Sequence, residues 1–125
     1  MSAQVLIVDD SGFSRRILRQ LLEERGYAVD EAKDGMEALE RYALRKPELV
    51  LLDVVMEGMN GLDVLAKLRE LDAKAKVVLA TADVQASTAK TAQAAGAVGV
   101  IGKPFQKDRV CEIVAAALKG EPAWS

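Results

Sequence analysis

Short apolar runs recur along the chain at Val5–Val8, Tyr27–Val29, Leu49–Leu52, Val77–Ala80 and Val98–Ile101. Most are uninterrupted and rich in Val, Ile and Leu, the pattern of strands covered on both faces. Between them lie segments of helical period. The first places Phe13, Ile17, Leu18, Leu21 and Leu22 on one face, sets Arg15, Arg16 and Arg19 elsewhere, and stops at Arg25-Gly26. The second starts near Asp34-Gly35, carries Met36, Leu39, Tyr42 and Ala43, and is closed by Pro47. The third starts near Gly61 with Leu62, Leu65 and Leu68. The fourth, Val84 to Ala95, is rich in alanine and threonine, and the fifth follows Pro104 with Val110, Ile113, Val114, Ala117 and Leu118. Strand and helix thus alternate five times. This predicts an α/β fold with parallel strands joined by right-handed crossovers.

Length and composition narrow the classes. With 125 residues, half of them apolar and 29% charged, the chain suits one globular domain, expected over residues 1–120 with a short tail at 121–125. Trp124 in that tail is expected to pack loosely. A net charge of −2 argues against nucleic-acid contacts. One cysteine, Cys111, excludes an intrachain disulfide, and its place beside the apolar face of the fifth helix suits a small filler. No histidine is present, which excludes Ser-His-Asp triads and His-ligated zinc. No leader or spanning stretch stands out, because the longest uncharged segment, Thr91–Gly102, carries three glycines and is too short. A cytoplasmic location without membrane association is the expectation.

The residues that end the strands carry the chemistry. Asp9-Asp10 follows the first, Asp53 ends the third, Thr81 ends the fourth and Lys103-Pro104 follows the fifth. Singly, an Asp after a strand commonly caps a helix or forms a turn, and Ser11 reads as such a cap. Together these groups converge, because ligands of open parallel sheets bind outside the carboxyl ends of the strands. Three carboxylates against one ammonium leave an excess of negative charge that a divalent cation would neutralise. An all-oxygen donor set points to Mg²⁺ or a similar hard ion, which leaves positions for phosphate oxygens. Thr81 can then donate to a phosphoryl group, Lys103 can act as a point charge, and Asp53 is the candidate nucleophile.

The set Leu6-Ile7-Val8-Asp9-Asp10, Leu51-Leu52-Asp53, Met59-Asn60-Gly61, Thr81 and Lys103-Pro104-Phe105 resembles the receiver domain of two-component response regulators, in its CheY-like single-domain form. The resemblance covers essentially the whole chain. It implies a three-layer (βα)5 flavodoxin-like fold whose five-stranded parallel sheet has the order 2-1-3-4-5. It implies that Asp53 is the phosphoacceptor, served by a sensor histidine kinase, a histidine phosphotransfer protein or a small phosphodonor. Asp10, Asp53 and the backbone carbonyl of Val55 would ligate Mg²⁺, with Asp9 acting mainly through water. Thr81 and Lys103 would engage the new phosphoryl group, and the Lys103–Pro104 bond would be cis. Helix 4, strand 5 and helix 5 would form the face that binds an output protein. The chain would then be a signalling phosphoacceptor that assists its own phosphorylation and dephosphorylation, a monomer or weak dimer, rather than an enzyme. Arg15, Arg16 and Arg19 either dock a kinase or form a solvated helix face.

Four positions call for comment against the family pattern. Val100 stands three residues before the lysine, where an aromatic switch residue is usual, so an aromatic rotamer switch cannot operate there. Glu57 replaces a common proline. Val55 and Asp83, each two residues after a site residue, are positions that influence access of water to the acyl phosphate. The competing readings are a degenerate receiver serving as a constitutive interaction module, a Mg²⁺-dependent phosphohydrolase of the haloacid-dehalogenase type, and a flavodoxin-like cofactor binder. The phosphohydrolase would need a second Asp where Ser11 or Gly12 stands. The cofactor binder would have to hold a phosphate against two carboxylates.

Overall fold

A computed structural model describes residues 3–56, 58–82 and 86–124. Five parallel strands, β1 (Gln4–Val8), β2 (Ala28–Ala32), β3 (Leu49–Asp53), β4 (Val77–Thr81) and β5 (Gly99–Gly102), form one sheet of order β2-β1-β3-β4-β5. Helices α1 (Gly12–Glu24), α2 (Gly35–Arg45), α3 (Gly61–Leu71) and α4 (Ala86–Ala94) make the crossovers, and α5 (Lys107–Lys119) joins α1 on one face of the sheet. The expected fold class and strand order are therefore what the chain adopts. A short antiparallel ribbon, Val55–Met56 against Met59–Asn60, joins β3 to α3.

Side chains alternate along each central strand and divide the core in two. Leu6, Val8, Val50, Leu52, Val77, Leu79 and Val100 pack with Ala38 and Tyr42 of α2, Val64, Leu65 and Leu68 of α3 and Ala92 of α4. Val5, Ile7, Leu49, Leu51, Val78, Ala80 and Ile101 pack with Leu18 and Leu22 of α1 and with Val110, Ile113, Val114 and Ala117 of α5. Uninterrupted apolar runs are needed because both faces are covered.

Local signals set the helix ends. The Ser11 hydroxyl accepts from Ser14 N at 3.2 Å, as expected of a cap. Asp34 and Asn60 do the same for α2 and α3, and Gly120 closes α5 at φ 78°. Three details differ from the sequence pattern. Phe13 and Met36 are 69% and 70% exposed, and Ala43 is exposed too, because each lies at the margin of its helix's apolar stripe rather than in it. The second strand runs on through Asp30 and Glu31, because it lies at the sheet edge and is only half covered. The described part of the fourth helix begins at Ala86, and Val84 lies outside the described residues. Cys111 is buried, as a filler should be.

The third difference is the tail. Ala123 pairs in parallel with Gly99 on the outer edge of β5. Ala123 is buried with the α1/α5 core, whereas Trp124 packs against the opposite core, so the tail crosses the sheet edge. Trp124 is thus half-buried rather than loosely packed. The close approach requires a glycine, since a Cβ on Gly99 would lie 2.7 Å from both the Cβ and the carbonyl oxygen of Ala123. Gly99→Ala should release the tail and cost about 1 kcal/mol. Trp124 is the sole tryptophan, so a red shift of its fluorescence reads the release directly.

Candidate functional site

The carboxyl ends of β1, β3, β4 and β5 bring Asp9, Asp10, Asp53, Thr81 and Lys103 together, as the edge rule predicts. Asp9 and Asp53 are buried at 1% and 5% exposure, while Asp10 faces solvent. One carboxylate oxygen from each of the three lies within 4.8 Å of the other two, an arrangement able to hold a metal ion. Lys103 touches two of them. Its Nζ sits 3.2 Å from Asp9 Oδ2 and 3.2 Å from Asp53 Oδ1. Thr81 is buried at the end of β4, in register with Gly102. The Lys103–Pro104 peptide is cis, as expected.

The electrostatics follow from burial. Desolvation raises the Asp53 carboxyl above the usual carboxylate range, the neighbouring Asp9 raises it further, and Lys103 offsets only part of this. Burial pulls the Lys103 ammonium down, but Asp9 and Asp53 outweigh it and hold Lys103 above its ordinary value. The site is thus short of positive charge at its centre, and its donors are all oxygens. That combination fits a hard divalent cation.

Backbone contacts fix the loop that follows Asp53. Val54 N donates to Ala80 O at 3.0 Å and Gly61 N to Val54 O at 2.8 Å. Val55 N lies 3.3 Å from Asp53 Oδ1, while Val55 as a whole is 77% exposed. Val100 is buried against the α2/α3/α4 core. Glu57 and Asp83 lie outside the described residues.

Two contacts have no counterpart in the sequence reading. The Lys103 ammonium stands 5.8 Å from the Phe105 ring centroid, so the ring flanks the cation. Arg15 donates from Nη1 to the backbone carbonyl of Asp9 at 2.5 Å and pairs through Nε with Glu31 at 3.0 Å. Arg19 also binds Glu31. Two of the three α1 arginines are therefore structural partners of β2 rather than a uniformly solvated face. A basic residue one helical turn past a strand-end Asp is the signal that would have found Arg15.

Known proteins share this arrangement. The family model "Response regulator receiver domain" matches residues 5–115. The chemotaxis protein CheY of Halobacterium salinarum is 42% identical over 118 residues, covering 94% of this chain and 98% of that protein. The CheY of Thermotoga maritima is 41% identical over 113 residues, covering 90% and 94%. Among solved structures, the CheX–CheY–BeF3–Mg complex of Borrelia burgdorferi matches with TM-score 0.87 and 32% identity, covering 91% of this chain and 87% of that one. Phosphorylation on an aspartate and partner binding are typical of these proteins. The phosphohydrolase and flavodoxin-like cofactor readings gain no support from these matches. With its fold, its acidic cluster and its relatives in agreement, this chain belongs to the response regulator receiver domain family of two-component signalling.

Proposed function

We propose that Asp53 is the phosphoacceptor and that Asp10, Asp53 and the Val55 carbonyl hold Mg²⁺, with Asp9 contributing through water. The observation that supports this most is the convergence of three carboxylates within 4.8 Å beside an ammonium that touches two of them. A bound Mg²⁺ would neutralise the acidic cluster and accept phosphoryl oxygens. An Asp53 oxygen attacks phosphorus, the bond to the donor's imidazole nitrogen or acyl oxygen breaks, and that leaving group takes the electron pair. Asp9 and Asp53 hold the Lys103 ammonium, which is then ready to transfer its bonds to the incoming oxygens. Thr81 supplies a hydroxyl donor from the neighbouring strand end.

The donor in this reading is a sensor histidine kinase or a histidine phosphotransfer protein, and the output partner binds the α4–β5–α5 face. Phosphorylation adds charge and acceptor oxygens beside β4 and β5, and so biases a two-state equilibrium of that face. The reading places the protein in the cytoplasm as a monomer or weak dimer. No helix among the described residues is long and apolar enough to cross a membrane.

Intact-protein mass after incubation with acetyl phosphate tests the chemistry. A gain of one phosphoryl group that requires both Mg²⁺ and Asp53, and that is lost in Asp53→Ala, is the expected result. A gain retained in Asp53→Ala would overturn the assignment. Lys103→Ala should still take the phosphoryl group but lose the response. Amide hydrogen exchange along α4, β5 and α5, which changes on phosphorylation of the wild type, should stay flat in the variant.

A further inference from the structure

Asp9 is held on every side. Its amide donates to Ala32 O at 3.2 Å, its Oδ1 accepts from Ser11 N at 2.9 Å, and its Oδ2 meets Lys103 at 3.2 Å. Its carbonyl accepts from Arg15 Nη1 at 2.5 Å. That carbonyl belongs to the peptide plane linking Asp9 to Asp10, so its direction sets where the Asp10 backbone and carboxylate go. The Arg15 side chain is only 20% exposed and is itself fixed by Glu31 of β2, whose second oxygen is taken by Arg19. Glu31 in turn lies in register with Ile7 of β1, two residues before Asp9. A rigid fork thus runs from the edge strand to the turn that carries two of the three carboxylates.

We propose that Arg15 is a positioning residue for divalent-cation binding: it clamps the Asp9–Asp10 peptide in the orientation that aims the Asp10 carboxylate at Asp53. The proposal rests on the metal assignment above. Charge and positioning predict opposite signs here. Arg15 is a cation near a cation site, so removing it on electrostatic grounds alone would tighten Mg²⁺ binding. Losing the clamp frees the peptide plane and weakens binding, as loss of an outer partner of metal ligands does in general, by about tenfold.

The test is isothermal titration calorimetry of Mg²⁺ with wild type, Arg15→Met, Arg15→Lys and Arg19→Met, with thermal melts in the absence of Mg²⁺ to verify folding. Arg15→Met should bind about tenfold more weakly. Arg15→Lys keeps the charge but loses the fork, and should also bind more weakly. Arg19→Met, which breaks a Glu31 contact without touching Asp9, should match wild type. With acetyl phosphate, the half-saturating Mg²⁺ concentration of the Arg15 variants should rise while the rate at saturating Mg²⁺ is kept. Wild-type or tighter affinity in Arg15→Met, wild-type affinity in Arg15→Lys, or equal weakening in Arg19→Met each overturns the clamp. If Arg15→Met does not fold, Arg15→Lys decides alone. No Mg²⁺ binding by the wild type would instead overturn the metal assignment and the clamp together, so the two failures are distinguishable.

Discussion

Replacing Asp53 by Asn should abolish phosphoryl uptake and at the same time raise the melting temperature. The first effect is total, because the amide is no nucleophile for phosphorus. The second follows from the placement of the carboxylate: it is buried and close to Asp9, so its ionised form is disfavoured in the fold. Below the ordinary carboxylate value both folded and unfolded chains hold the proton, and the variant differs little. As pH rises through the window up to the raised folded value, the unfolded chain ionises first and wild-type stability falls. Above that window the penalty is full. At neutral pH the gain for Asp53→Asn should be about 1 kcal/mol, or about 4 °C for a domain of this size. Melts from pH 4 to pH 8 measure it. A variant that melts below wild type at neutral pH would show that the Lys103 pair outweighs burial. Added Mg²⁺ should raise the wild-type melting temperature and narrow the difference, because a ligand of the folded state stabilises it by mass action.

A single methyl group on Gly61 should be a severely damaging change. Gly61 opens α3 and is buried directly against the backbone of Asp53 and Val54. A Cβ there would be driven into the Asp53 carbonyl oxygen and would lie 2.7 Å from Val54 Cα and 3.1 Å from Asp53 C. All of these are backbone atoms, so no side-chain rotation relieves the clash. Gly61→Ala should therefore cost about 2–3 kcal/mol, lowering the melting temperature by about 10 °C. It should also displace the Asp53 and Val55 backbone. Displacement of about an ångström at a reacting centre costs about a hundredfold in rate. Thermal melts and the phosphorylation rate with acetyl phosphate check both effects, and near-wild-type values in both would mean that the loop after Asp53 is not held by this contact.

The two predictions illustrate different kinds of legibility. Asp53 stood out in the sequence because it ends an apolar run whose neighbours also end in polar groups. Gly61 stood out as the start of the third helix and as part of the Met59-Asn60-Gly61 motif. The reason a side chain is excluded there needs the packing of α3 against the end of β3. Phe13 and Met36 show the limit of periodicity: an apolar residue at the margin of a stripe has the right spacing without being covered. Trp124 shows the limit of reasoning from chain ends, since a terminal segment is loose only until an unpaired strand edge accepts it.

By itself, the sequence determined the alternation of strand and helix, the helix caps and the identity of the strand-end residues. These depend on local periodicity, backbone preferences and side-chain chemistry, all of which act between near neighbours in the chain. Only the tertiary structure decided that Lys103 touches Asp9, ninety-four residues away, as well as Asp53. It also decided that Arg15 closes on the Asp9 carbonyl rather than on solvent or a partner, and that the tail crosses the edge of β5. Those contacts arise from strand register and from helices packing on a particular face. Register and packing are settled by the burial of both cores at once, a property of the whole fold that no local window of residues contains.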